Sequence, residues 1–177
     1  MKQYQFNDVL YMKKEKAIAL ENEEKEIIGV IEKADISGCE KGHVFSFTNT
    51  NGLTVRMGIK KRGIRNFLFA TYVIKTEKET YLFKDKPGNS LLYFCVKGDI
   101  SGQDIQIEEN WSKEIEVKLD KIHIATLKTS DLTFRTTILF KDNILESTIH
   151  FAVTVLMYFM YKIYKNESEF IESILFD

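Results

Sequence analysis

One stretch constrains the fold of this chain more than any other. Asn143 to Lys162 reads Asn-Ile-Leu-Glu-Ser-Thr-Ile-His-Phe-Ala-Val-Thr-Val-Leu-Met-Tyr-Phe-Met-Tyr-Lys, and it follows a long run of alternating, strand-like sequence. A helix that is apolar around most of its circumference must be buried in protein or in lipid. Asn143 and Glu146 have the spacing of an N-terminal capping box, which predicts a helix over about 143–164. At about 100° per residue, Glu146, His150, Thr154, Tyr158 and Tyr161 form a mildly polar stripe, and apolar side chains fill the opposite arc. Asn166 and Glu169 repeat the capping pattern, which predicts a second, shorter helix carrying Phe170, Ile171, Ile174 and Leu175.

A membrane span needs about 20 predominantly apolar residues. The apolar run here covers Phe151–Tyr161, closely bordered by Glu146, His150 and Lys162. The expectation is therefore a helix in the core of the protein; the alternative is a membrane anchor.

Before the helix, twelve strand-like segments are separated by turn signals. Asn51-Gly52 suits a tight hairpin, and Asp85-Lys86-Pro87-Gly88 is another turn. Alternation is clean at Leu53, Val55, Met57 and Ile59, at Ile115, Val117 and Leu119, and at Leu132, Phe134, Thr136, Ile138 and Phe140. One buried face and one wet face per strand indicate an antiparallel barrel or sandwich closed by the helix. The 177 residues fit one domain, residues 1–177, with no linker or repeat.

Net charge is −1, so no global field favours nucleic acid or membrane, and nucleic acid is not an expected partner. The first residues hold no apolar run of the secretory kind, so a cytoplasmic setting is expected. Cys39 and Cys95 lack metal-ligand spacing. Cys95 lies in an apolar strand, and Cys39 is expected in a loop. His43, His123 and His150 are dispersed, so no metal site and no cofactor are expected, and no nucleophile–base pairing indicates an enzyme. Gly98 and Gly102 read as flanking a hairpin loop.

One cluster of charge stands out. Lys60, Lys61, Arg62 and Arg65 place four cations within six residues beside an aromatic-rich segment. Such a patch suits phosphate groups or an acidic partner. The alternative is a solvated loop that keeps a β-rich protein soluble.

Strands followed by a C-terminal apolar helix resemble the tubby C-terminal-like superfamily, which includes LURP-one-related proteins and phospholipid scramblases. The residues that carry the resemblance are Glu79–Leu92, with the strand, Asp-x-x-Gly-Asn turn and strand unit at Asp85–Asn89, and Leu132–Ile138 leading into the helix. The resemblance implies a closed antiparallel barrel of about twelve strands around a central helix. It also implies a non-enzymatic binding or scaffold domain for anionic lipid headgroups or a protein partner, at the membrane periphery. A scramblase-like protein anchored by the helix is the alternative. Scramblases carry several acidic residues just before the helix, whereas here Asp142 and Glu146 stand close by, which argues against calcium binding and lipid scrambling.

Overall fold

All twelve expected strands form, and they close on themselves. The computed structural model describes residues 1–7, 16–62, 69–86, 93–130 and 135–176. The strands are β1 (Lys2–Asn7), β2 (Ile18–Asn22), β3 (Ile27–Lys33), β4 (Cys39–Asn49), β5 (Thr54–Lys60), β6 (Thr71–Lys75), β7 (Thr80–Asp85), β8 (Cys95–Ile100), β9 (Gln103–Glu109), β10 (Ile115–Leu119), β11 (Ile122–Ser130) and β12 (Arg135–Phe140), followed by helix α1 (Ile149–Phe176). Each strand pairs antiparallel with its sequence neighbours. β1 pairs with β12, Lys2 opposite Phe140 through Asn7 opposite Arg135, and this closes the barrel. Closure leaves no open sheet edge.

A barrel of this size encloses more space than its own inward side chains fill, and the helix takes up the remainder. Every residue from Phe151 to Tyr161 is at most 6% exposed. The helix touches the wall on several sides: Phe151 stacks on Phe140 at 4.5 Å, Phe159 on Phe45 at 4.7 Å, and Tyr158 meets Phe6 edge-on at 5.2 Å. Even the mildly polar stripe is enclosed. Thr154 is buried and donates its hydroxyl to the His150 carbonyl at 2.8 Å. Among the described residues, no helix is long and apolar enough to cross a membrane.

The helix begins later than the Asn143 capping box predicts. Thr148 is the cap: its Oγ1 accepts from Phe151 N at 3.3 Å. The preceding segment is needed to carry the chain from the barrel wall to its axis. Glu146 is held there by Tyr4, whose hydroxyl donates to its carboxylate at 2.6 Å, and by Asn49, whose Nδ2 donates to its carbonyl at 3.1 Å. The second helix expected after Asn166 is not separate, because α1 runs unbroken to Phe176. Two smaller expectations are also corrected. Cys39 is buried in β4, not looped out. Gly98 lies within β8, where a Cβ would stand 1.9 Å from Phe83 Cδ1, so only a residue without a side chain fits.

The two ends of the barrel differ. At the end where the helix starts, connections are short, such as Ser101-Gly102 and Asp120-Lys121, both with positive φ at each residue. That backbone matches the strand twist of a two-residue hairpin. At the end where the helix leaves, the connections 8–17, 61–70 and 86–94 are longer. Their central portions, with the Gly88-Asn89 turn and Arg65, lie outside the described residues, as does the Leu132–Phe134 start of the closing strand.

A lysine row on the outer wall as the candidate functional site

Alternation in β5–β8 sends Ile59, Tyr72, Phe83 and Val96 inward and Lys60, Thr71, Lys84 and Lys97 outward. The register then decides which outward side chains meet. Lys60 ends β5 beside Thr71. Thr71 stands opposite Lys84, and Lys84 stands directly opposite Lys97. Three lysines thus fall on one row just below the rim where the helix leaves. Lys61 lies exposed on the rim above it. Towards the other end of the same wall, Arg56 stands directly opposite Lys75, with both side chains exposed.

Like charges directly opposite across a ladder repel. Among the described residues, Arg56, Lys60, Lys75, Lys84 and Lys97 form no ion pair, although Glu77 shares a groove with Arg56 and Lys75. The wall of β9–β11 is arranged differently. Lys118 meets Glu108 at 2.5 Å and Glu116 at 3.7 Å, and Lys128 meets Glu114 at 2.8 Å. Glu108 and Glu114 are held below the ordinary carboxylate range. For Glu108, burial pushes upward but the bonds from Lys118 and Gln106 outweigh it; for Glu114, the bond from Lys128 leads. One wall is internally neutralised, and the other presents uncompensated positive charge.

Of the four cations singled out in the sequence, the structure separates Arg62 from its neighbours. Its side chain is only 8% exposed. Nε donates to Glu40 Oε1 at 2.7 Å, and Nη2 donates to Glu167 Oε1 at 2.6 Å. His43 adds a contact from Nδ1 to Glu40 Oε2 at 2.9 Å. Ligand atoms of Glu40, His43 and Glu167 lie within 4.8 Å of one another, a spacing that could suit a metal ion, but the guanidinium already lies among these carboxylates as their cation. Arg62 is therefore a fastener between β4, β5 and the helix. Lys60 and Lys61 remain at the surface.

The row owes its position to the buried residues behind it. Asp85, next to Lys84, points inward, where its carboxylate accepts from Ala70 N at 2.6 Å and from Tyr72 OH at 3.0 Å. Burial raises its pKa, against those two bonds and the nearby Arg62. These bonds pin the start of β6 to the end of β7 and so fix Lys84 on the wall. Both cysteine thiols are buried and pushed up, chiefly by burial, which disfavours the reactive thiolate. His123 Nε2 meets Thr126 Oγ1 at 2.8 Å.

The lysine density at Lys60-Lys61 is visible in the sequence. Lys84 and Lys97 join it only through register, which no local pattern reveals. No family model, curated protein or solved structure matches this chain.

Proposed function

We propose that this chain is a non-enzymatic binding domain of the tubby C-terminal-like kind, whose outer wall of β5–β8 receives anionic phosphate groups at a membrane surface. The observation that carries the reading is the directly opposed, unneutralised Lys84 and Lys97 in line with Lys60. Mutual repulsion of this kind costs stability, and an anion placed on the row offsets it. The helix occupies the bore, so recognition falls to the outside. Each basic residue near an anionic surface contributes about 1 kcal/mol, and the sum weakens as salt shortens the Debye length.

The test is vesicle flotation. Wild-type protein should float with phosphatidylserine-containing vesicles at low salt, fail to float with phosphatidylcholine alone, and detach as salt rises. Replacing Lys60, Lys61, Lys84 and Lys97 together by Glu should abolish flotation while circular dichroism stays unchanged. Equal flotation of that variant, or no flotation of wild type at low salt, overturns the reading.

A further inference from the structure

Trp111 is more exposed than a tryptophan in an extended peptide, at 105%. It projects from the β9–β10 connection at the end of the barrel where the helix leaves. Exposure this complete ordinarily belongs to a loosely held loop, yet this connection is closed by several hydrogen bonds to Asn110. Asn110 Oδ1 accepts from Ser112 N at 2.9 Å and Glu114 N at 3.0 Å. Asn110 Nδ2 donates to Glu116 at 3.0 Å, and Asn110 N donates to the Glu114 carbonyl at 2.8 Å. The indole thus projects from a turn whose backbone is fixed on either side of it, with no protein surface covering it.

Its surroundings indicate what covers it. Among the described residues, the other exposed aromatics, Phe69 at 41% and Phe170 at 62%, belong to the same end, one just before β6 and one on the emerging helix. Large exposed side chains at the opposite end are aliphatic: Met1, Ile27, Ile122 and Leu145. Charge is divided in the same sense. Where the helix starts, the turns 23–26 and 76–79 read Glu-Glu-Lys-Glu and Thr-Glu-Lys-Glu, and Asp120 and Asp142 stand next to Lys121 and Lys141, so acids outnumber bases at that end. Where it leaves, Lys60, Lys61 and Lys113 share the end with Asp35 and Glu169, while Glu40 and Glu167 are already matched by Arg62, Glu109 by Lys165 at 3.5 Å, and Glu108, Glu116 and Glu114 near Trp111 by Lys118 and Lys128. Aromatic rings mixed with lysines are the side chains favoured at the boundary between lipid headgroups and acyl chains.

From this we infer that the barrel docks end-on against an anionic bilayer, with the helix exit facing the lipid, Trp111 entering the interface and the acidic end pointing away. This rests on the membrane reading of the lysine row and adds to it an orientation and an anchor. Phosphate would meet Lys61 on the rim and the row of Lys60, Lys84 and Lys97 just below it, while the indole supplies the apolar part of the attachment.

Trp111 is the single tryptophan of the chain, so its fluorescence reports on this position alone. With phosphatidylserine-containing vesicles, its emission should shift to the blue, and brominated lipid should quench it. Trp111→Ala, which removes no buried contact, should lower the vesicle-bound fraction several-fold without altering the unfolding midpoint. Bound wild-type protein whose emission stays that of an indole in water, together with a Trp111→Ala variant that floats as well as wild type, overturns the orientation and leaves the lysine-row reading standing. Wild-type protein that does not float at low salt overturns both. A blue shift with neutral vesicles equal to that with anionic ones overturns the part assigned to charge at this end.

Discussion

Arg62 Nη2 and Glu167 Oε1 lie 2.6 Å apart, although 105 positions separate the residues, and the pair ties the segment just after β5 to the helix beyond the barrel mouth. With Glu40 on the other side of the same guanidinium, two largely enclosed carboxylates depend on one cation. Removing that cation takes the forked donation from both and leaves Glu40 with the His43 contact. Arg62→Leu should therefore destabilise the protein by about 2–4 kcal/mol, discounted for the partial exposure of the two acids. Urea unfolding measures this. Arg62→Lys should recover only part of the loss, because an ammonium cannot reproduce the forked donation to both acids. A cost below about 0.5 kcal/mol would place the pair among ordinary surface bridges.

Phe151 is fully buried, stacked on Phe140 and edge-on to Tyr4 at 5.0 Å. Phe151→Ala should cost about 3–5 kcal/mol, since the surrounding wall is a closed ladder and collapses poorly onto a void. Thermal and urea unfolding should agree on the loss. A small cost would show that the helix packs loosely in the bore.

The Gly98→Ala change tests the opposite fault, overfilling. The added carbon would overlap the Phe83 ring, which is itself fully buried and has little room to withdraw. A loss of about 1–3 kcal/mol is expected from the forced shift, and pairing it with Phe83→Leu should return part of it.

Burial lowers the His150 imidazole from its ordinary 6.5, with Asp120 acting the other way. Its Nε2 is enclosed without a hydrogen-bond partner. A base with a depressed folded pKa holds its proton better in the unfolded chain. Its contribution is therefore intact above about 6.5 and is lost as pH falls from there towards the folded value. His150→Leu should flatten the dependence of the urea midpoint on pH in that window. Glu40 adds a second loss at lower pH: burial pushes its carboxyl up, but Arg62 and His43 outweigh burial and hold it below its usual 4.5. Asp85 runs counter to both, because its raised carboxyl favours the folded state when protonated. An unchanged slope in the His150→Leu variant would remove the histidine from this account.

Lys84→Glu separates stability from binding. It turns a repulsive cross-strand pair with Lys97 into an attractive one, so the fold should gain a few tenths of a kcal/mol. Vesicle binding should fall in the same variant. A variant that loses stability and keeps binding would contradict both halves of the argument.

Much of the architecture is written locally. Val55, Met57 and Ile59 alternate and are all buried, and so do Ile115 and Val117. The Phe151–Tyr161 run marks the core helix because its length suits a barrel bore better than a bilayer. What local pattern does not carry is pairing between distant segments. Asn143 has the right neighbours for a cap, but Tyr4 and Asn49 claim Glu146 for another purpose, and the cap moves to Thr148. Arg62 sits among free-looking cations in the chain, yet its acids come from β4 and the helix. Lys84 and Lys97 are unremarkable in sequence and become neighbours only when β7 and β8 find their register.

The threaded helix also dictates an order of assembly. It follows all twelve strands, and the seam between β1 and β12 joins residues at opposite ends of the sheet. A nascent chain leaving the ribosome can form hairpins early, but it holds an unclosed, curling sheet with its apolar inner face exposed until the helix emerges. Pairing across so long a separation is slow. The interval before the plug arrives is when this chain is open to aggregation and to chaperones.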